Sequence, residues 1–309
     1  MTLSALGIFS AAGAGPLGRI GVAGYAAGGN FSNGSQIATV DKLLFSNETT
    51  STLGTGLSRV AYFAAGFSNS GVAGYIFGGE SNGTPVTTVD KFAFPADTRT
   101  TLGTGMSAAS NGGSGFSNAS IAGYATRGNF TTTVDKFAFP NDSRTTLGTG
   151  LTGNRAYAAS AQNVLVAGYY AGGDNGGVQQ SNVDKFTFPA DTRSALASGL
   201  VAGSWYSSLG LSNSGVAIYF QDNDSSTMTK YAMPTDTRSS FAFGTVGRAG
   251  VSSISNSGLA GYPAGGQNPT TRVTLIEKLS FANDTRSTIA AVLSFATTGL
   301  AGMSNEGVF

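Results

Sequence analysis

The chain has 309 residues, enough to bury a sizeable core without covalent or metal staples. Charged residues make up only 11% of it and sum to +1, so no basic excess exists to neutralise phosphates, and nucleic-acid binding is not expected. Cysteine and histidine are both absent, which excludes disulfides, zinc fingers, thiol nucleophiles and imidazole bases.

No apolar run reaches transmembrane length, so no membrane span is expected. Residues 3–12 form an apolar stretch of the size of a signal-peptide core, but no basic segment precedes it. Leu3 stands 21 residues before Gly24, as Leu53 stands 21 before Gly74. The stretch is therefore read as part of the folded repeat that follows.

From Gly24 onward the chain repeats itself. Gly-Tyr recurs at Tyr25, Tyr75, Tyr124, Tyr169 and Tyr262, and a degenerate copy, Ile218-Tyr219, fills the remaining slot. A second landmark, Val-Asp-Lys-Phe or a variant, contains Lys42, Lys91, Lys136, Lys185, Lys230 and Lys278. A third, Phe-Pro-Ala-Asp-Thr-Arg, begins at Phe94 and has relatives at Phe139, Phe188, Met233 and Phe281. A fourth is Leu-Gly-Thr-Gly, at Leu53, Leu102 and Leu147. An Asn stands five residues before the Gly-Tyr position at Asn69, Asn118, Asn163, Asn213 and Asn256.

Each unit reads as four strands. Within the second unit, residues 62–67 are apolar and lead into the turn 68–71. Residues 72–77 are a short apolar run closed by Gly78-Gly79, and 87–94 alternate with β-branched and aromatic residues. Pro95-Ala96-Asp97-Thr98 is a turn, since proline presets φ and aspartate caps the bend. A last strand begins at Arg99. Four-stranded units at this period predict an all-β fold, a six-bladed β-propeller with seven blades as the alternative count, formed by residues 1–309 as a single domain. The end of the chain, Leu300-Ala301-Gly302-Met303, echoes Leu259-Ala260-Gly261-Tyr262. One blade is thus expected to be completed from both chain ends, which removes free edges.

The order Tyr75-Ile76-Phe77-Gly78-Gly79, variable loop 80–88, Val89-Asp90-Lys91-Phe92 resembles the kelch repeat, although Thr101 and Leu102 occupy the region of the usual kelch tryptophan. The near-identical Ser/Thr/Gly-rich units with Asp-Lys-Phe-x-Phe are also similar to repeats of bacteriophage, particularly cyanophage, virion proteins and of bacterial surface proteins. That resemblance implies an extracellular setting.

Alternating strands put two kinds of connection on two faces. Turns such as 68–71 and 95–98 fall on one face and repeat nearly unchanged. The loops 30–39, 80–88, 129–133, 174–182, 223–228 and 267–275, with the connections between units, fall on the other and vary. Variable loops on a rigid scaffold are where binding concentrates. The candidate contact residues on that face are Phe31, Glu80, Phe130, Arg155, Asp174, Trp205, Tyr206, Asp222, Asp224 and Arg248. Asp222-Asn223-Asp224-Ser225 offers oxygen atoms to a Ca²⁺ ion but lacks the glycine and distal glutamate of an EF-hand loop, so it is read as a polar turn, with no metal expected. The Gly-Gly pairs are not phosphate loops, because no helix follows them.

Most carboxylates sit at repeat positions and so serve the blade. No cofactor and no catalytic residue are expected. The expected function is a non-catalytic structural and adhesion protein of an extracellular assembly. The best fit is a phage virion protein (tail, fibre or capsid decoration) that touches other assembly proteins and a host glycan or receptor; a homo-oligomer is compatible with this. The alternatives are a lectin-like glycan-binding module of a bacterial surface, and a propeller glycosidase or lyase, which would need two carboxylates facing each other across a bond.

Overall fold

The computed structural model describes residues 21–203, 209–221, 226–243 and 247–306, and among them every regular element is a strand. Six antiparallel sheets of four strands each form the expected propeller, and the alternative count of seven falls away. The second blade shows the plan: Ala65–Asn69 innermost, then Ala73–Phe77, Val89–Ala93 and Thr98–Thr101 at the rim. The loop between its second and third strands carries a small ribbon, Glu80–Ser81 paired with Thr84–Pro85.

The first blade is composite. Its outer three strands are Ala23–Ala27, Val40–Leu44 and Thr49–Thr52, while its innermost strand is Ala301–Asn305 from the other end of the chain. Tyr25 pairs with Met303 in that register. The innermost strand is thus the one that closes the ring. The stretch 3–12 lies outside the described residues.

Burial follows from radial packing. The second strand of each blade is buried along its whole length, because neighbouring blades cover both of its sides; this is why 73–77 lacks alternation. The third strand alternates, and the Thr- and Arg-rich outer strand is mostly exposed, a short polar edge that discourages pairing with other chains.

Three sets of contacts tie each blade to the next. The first is steric: an inner-strand side chain sits over the Gly of the next blade's Gly-Tyr. A Cβ on Gly123 would stand 2.1 Å from Phe67, and one on Gly24 would stand 1.9 Å from Ile254. The second is a closed circuit of inner-strand hydrogen bonds. Ser68 N–H donates to Ser117 Oγ, Ser117 to Gln162 Oε1, Gln162 to Ser212 Oγ, Ser212 to Ser255 Oγ, Ser255 to Ser304 Oγ, and Ser304 back to Ser68 Oγ, at 2.9–3.3 Å.

The third set links Tyr and Lys of one blade to the turn carboxylate of the next. Tyr25 and Lys42 both reach Asp97, at 2.7 and 2.6 Å. The pattern recurs at Asp142, Asp191, Asp236 and Asp284, and Glu48 takes the same role for Tyr262 and Lys278. The repeated lysines therefore form ion pairs between blades, not a basic ring open to a partner.

Candidate functional site

The loop face is built from the connections that cross from the rim of one blade to the inner strand of the next. In four blades a buried aspartate on the third strand holds the crossing, and Thr229 and Glu277 stand in its place in the other two. Asp90 accepts from Ser58 N–H at 2.8 Å and from Thr101 Oγ1 at 2.7 Å, and Asp135 and Asp41 do the same with Ser107 and Ser294. The repeated aspartate of Val-Asp-Lys thus serves the scaffold.

Two expected contact residues prove to be parts of that scaffold. Arg155 is only 1% exposed; it is paired with Asp184, donates to the carbonyls of Gly172 and Asn182, and stands 5.0 Å over the ring of Tyr170. Arg248 is buried too. It lies 2.9 Å from Glu277 and donates to the carbonyls of Gly265 and Leu275. Burial pushes the Arg248 guanidinium down to about 10, still charged at neutral pH. Both arginines lie beneath the loop face, where they supply donors to the carbonyls of Gly172 and Gly265 at the first glycine of each Gly-Gly bend. Asp174 is also buried; it pairs with Ala156 through the backbone and accepts from Gly177 N–H within its own loop.

The remaining described candidates do reach the surface. Glu80 is partly exposed and accepts from Asn111 Nδ2. Phe31 meets Phe295 edge-on at 5.5 Å. Phe130 is 40% exposed and lies 6.4 Å from Tyr157. Trp205, Tyr206, Asp222 and Asp224, and with them the candidate Ca²⁺ turn, lie outside the described residues. Among the described residues, no group of three or more acidic side chains is arranged to hold a metal ion.

A backbone relay, unnoticed in the sequence, runs around the axial mouth on this face. Gly299 N–H donates to Gly250 O, Phe63 to Gly299 O, Gly112 to Phe63 O and Tyr157 to Gly112 O, at 2.7–3.1 Å. All five residues have left-handed backbone, φ between 52° and 70°. The axial cavity below holds about 110 Å³, and Ala, Gly and Ser of the inner strands line most of it. Its one lining carboxylate, Glu306, accepts from Ser257 N–H at 3.3 Å.

The opposite face carries a feature that its turn chemistry alone did not suggest. Val22, Val72, Ile121, Val166, Val216 and Leu259 occupy the same turn position in the six blades, and each is 42–59% exposed. They form an aliphatic annulus about the axis. The turn carboxylates of this face are each paired with a Lys of the preceding blade, so the face has little free charge. The signal was present in the sequence, since the residue two before the Gly of every Gly-Tyr position is aliphatic; the structure adds that these side chains are exposed.

The chain matches no protein-family model and no curated protein. Solved structures share its fold. One, the structure of YjhT, matches with a TM-score of 0.65 over 89% of this chain and 98% of its own, at 12% sequence identity. At that identity the likeness concerns the fold alone.

Proposed function

We propose that the chain is a non-catalytic, two-faced structural and adhesion module of an extracellular assembly, best fitted by a phage virion protein. The annulus face docks onto an apolar, uncharged surface of the assembly, and the loop face points outward to a host. The aliphatic annulus carries this reading. The neighbouring position is Gly21, Gly71, Gly215 or Gly258 in four blades and Ser120 or Leu165 in the other two, yet all six keep an exposed aliphatic side chain beside it. A soluble protein rarely maintains such a repeated apolar surface without a partner. The similarity of the repeats to those of virion proteins supplies the setting.

The non-catalytic part of the reading rests on the carboxylates. Every described one already accepts a hydrogen bond or pairs with a base: the third-strand acids with the crossings, the turn acids with Tyr and Lys, Glu80 with Asn111, Asp174 with Gly177 and Glu306 with Ser257. A hydrolase needs two that face each other across a bond.

Mass spectrometry of purified particles tests the setting; absence of the chain from particles refutes it. The double substitution Val72→Asp, Val216→Asp tests the docking face. Both side chains are half-exposed, so the variant folds, and it is expected to lose incorporation into particles.

A further inference from the structure

We propose that the arc formed by Tyr62, Phe63, Tyr157 and Phe130 at the axial mouth of the loop face is a stacking site for the pyranose rings of a neutral polysaccharide. The proposal deepens the adhesion reading above and depends on it only for its biological setting. The rings are contiguous. Tyr62 and Phe63 are 3.9 Å apart, Phe63 and Tyr157 4.9 Å, and Tyr157 and Phe130 6.4 Å, between centroids. Three connections or loops from different blades converge to make this arc.

The rings of Tyr157 and Tyr62 pack over Gly112 and Gly299 of the neighbouring connections, yet the backbone shows that Phe63 and Tyr157 stand where glycine serves other blades without strain. Phe63 and Tyr157 occupy the left-handed slot of the mouth relay, with φ of 52° and 57°. The same slot is Gly112, Gly250 and Gly299 in three other connections, and the sixth, at Ser207, lies outside the described residues. Glycine adopts this conformation without strain, whereas a bulky aromatic side chain does so at a cost. Phe130, at φ 53°, is the third such residue; among the described residues, no other aromatic has left-handed backbone. Strained residues gathered in one place are a mark of a ligand site.

The chemistry of the surroundings selects the ligand. Sugars offer C–H faces to aromatic rings and hydroxyls to amides and carbonyls. The arc adjoins Glu80, whose backbone pairs with that of Tyr62, and Asn111, which is buried and has an Oδ1 without a hydrogen-bond partner. Aromatic walls with a few fixed polar groups are the usual make-up of a small-molecule site. The nearby charges are one of each sign, Glu80 held by the neutral amide of Asn111 and Arg127 by the carbonyl of Ala109, so the site carries no net charge to select a charged ligand. Stacked nucleobases would need a basic track for their phosphates.

Titration of the full chain with maltoheptaose, cellohexaose and chitohexaose tests the site, followed by tyrosine fluorescence and calorimetry. At least one is expected to bind with a Kd of about 1 mM or tighter. The double variant Phe63→Gly, Tyr157→Gly is expected to bind at least about tenfold more weakly, while still unfolding in one cooperative transition, because the relieved backbone offsets part of the packing lost with the two rings. Phe130→Ala, at an exposed position, is expected to weaken binding at least about threefold without lowering the melting temperature. Failure of all three sugars to bind at about 10 mM overturns the proposal. So does unchanged binding in either variant, which would make the rings a lid over the axial cavity. Incorporation of annulus variants into particles is read separately, so failure of the sugar site leaves the docking reading standing or falling by itself.

Discussion

The ring of Phe116 lies so close to Gly168 of the next blade that a Cβ there would stand 1.9 Å from it. This knob-and-hole pairing explains the one blade whose Gly-Tyr is degenerate. The fifth blade has Ile218 where the others have glycine, and the facing inner strand of the fourth blade has Ala161 where the others have Phe67, Phe116, Leu211, Ile254 or Met303. Ala161 and Ile218 share one apolar cluster, both nearly fully buried. The knob has moved to the other side of the interface. Ile218→Gly is therefore expected to lower stability by about 2–4 kcal/mol through the cavity it opens. Ala161→Phe alone overpacks the site and costs about 1–3 kcal/mol. The double variant rebuilds the pairing of the other blades and is expected to lose at least ~1 kcal/mol less than the sum of the two. Urea unfolding of the four proteins checks this, and strict additivity would remove the compensation argument.

Leu165 offers a stabilising change. It sits in the turn after the inner strand with φ 62° and is 57% exposed, so its side chain gains little from packing. The equivalent residues Gly71, Gly215 and Gly258 have φ of 78–85°. Left-handed backbone costs an L-residue about 1–2 kcal/mol, and the greater chain entropy lost by glycine takes back about 0.5–1 kcal/mol. Leu165→Gly is expected to gain the difference, of order 0.5–1 kcal/mol, and to raise the melting temperature by about 1–3 °C. A lower melting temperature would show that Leu165 makes a contact its exposure conceals.

The turn aspartate allows charge to be separated from hydrogen bonding. Asp97 takes a hydrogen bond from Tyr25 and an ion pair from Lys42, at φ 56°. Asn tolerates the same backbone and keeps an acceptor, whereas Ala keeps neither. Asp97→Ala is expected to cost about 1–3 kcal/mol, since a partly buried tyrosine hydroxyl and ammonium lose their partner. Asp97→Asn is expected to cost roughly half as much. Raising the salt concentration narrows the gap between parent and Asn variant only slightly, because Lys42 and Asp97 are mostly withdrawn from solvent. Equal losses in the two variants would mean that charge alone matters.

How far the sequence could be read depended on whether a feature repeats. The blade count, the strand plan and the completion of one blade from both chain ends were legible because Tyr75, Lys91 and Phe94 have counterparts in other units. The partners of those residues were not legible. Lys42 stands next to Asp41 in sequence yet pairs with Asp97 of the next blade. Nothing local marks a contact made across a gap of 55 residues. The loop-face candidates were chosen for departing from the repeat, and that criterion fails wherever the departure is buried. Arg155 and Arg248 were unusual because they fill a structural need, the carbonyls beneath the Gly-Gly bends. Phe63 and Tyr157 were overlooked for the converse reason. Aromatic residues in an apolar stretch read as core, and only the backbone angle shows that glycine would serve the fold there.

The interblade tyrosines make the protein sensitive to alkali. Burial, with Asp97 as the hydrogen-bonded neighbour, pushes the Tyr25 hydroxyl far above its ordinary value of 10.0. The same holds at Tyr75, Tyr124, Tyr169, Tyr219 and Tyr262, with desolvation the largest cause at each, and burial pushes Tyr170 up to about 12. These groups hold their protons more tightly folded than unfolded. Their contribution is therefore complete below about pH 10, the unfolded value, and declines as pH rises above it toward the folded values. The urea midpoint is expected to be flat with respect to these groups up to about pH 10 and then to fall steeply, because seven groups release protons on unfolding. Absorbance at 295 nm gives the second reading: tyrosinate from these seven should rise together with loss of the β-sheet circular dichroism signal, in one transition. Their gradual ionisation while the sheets stay intact would mean that the hydroxyls are not locked between blades.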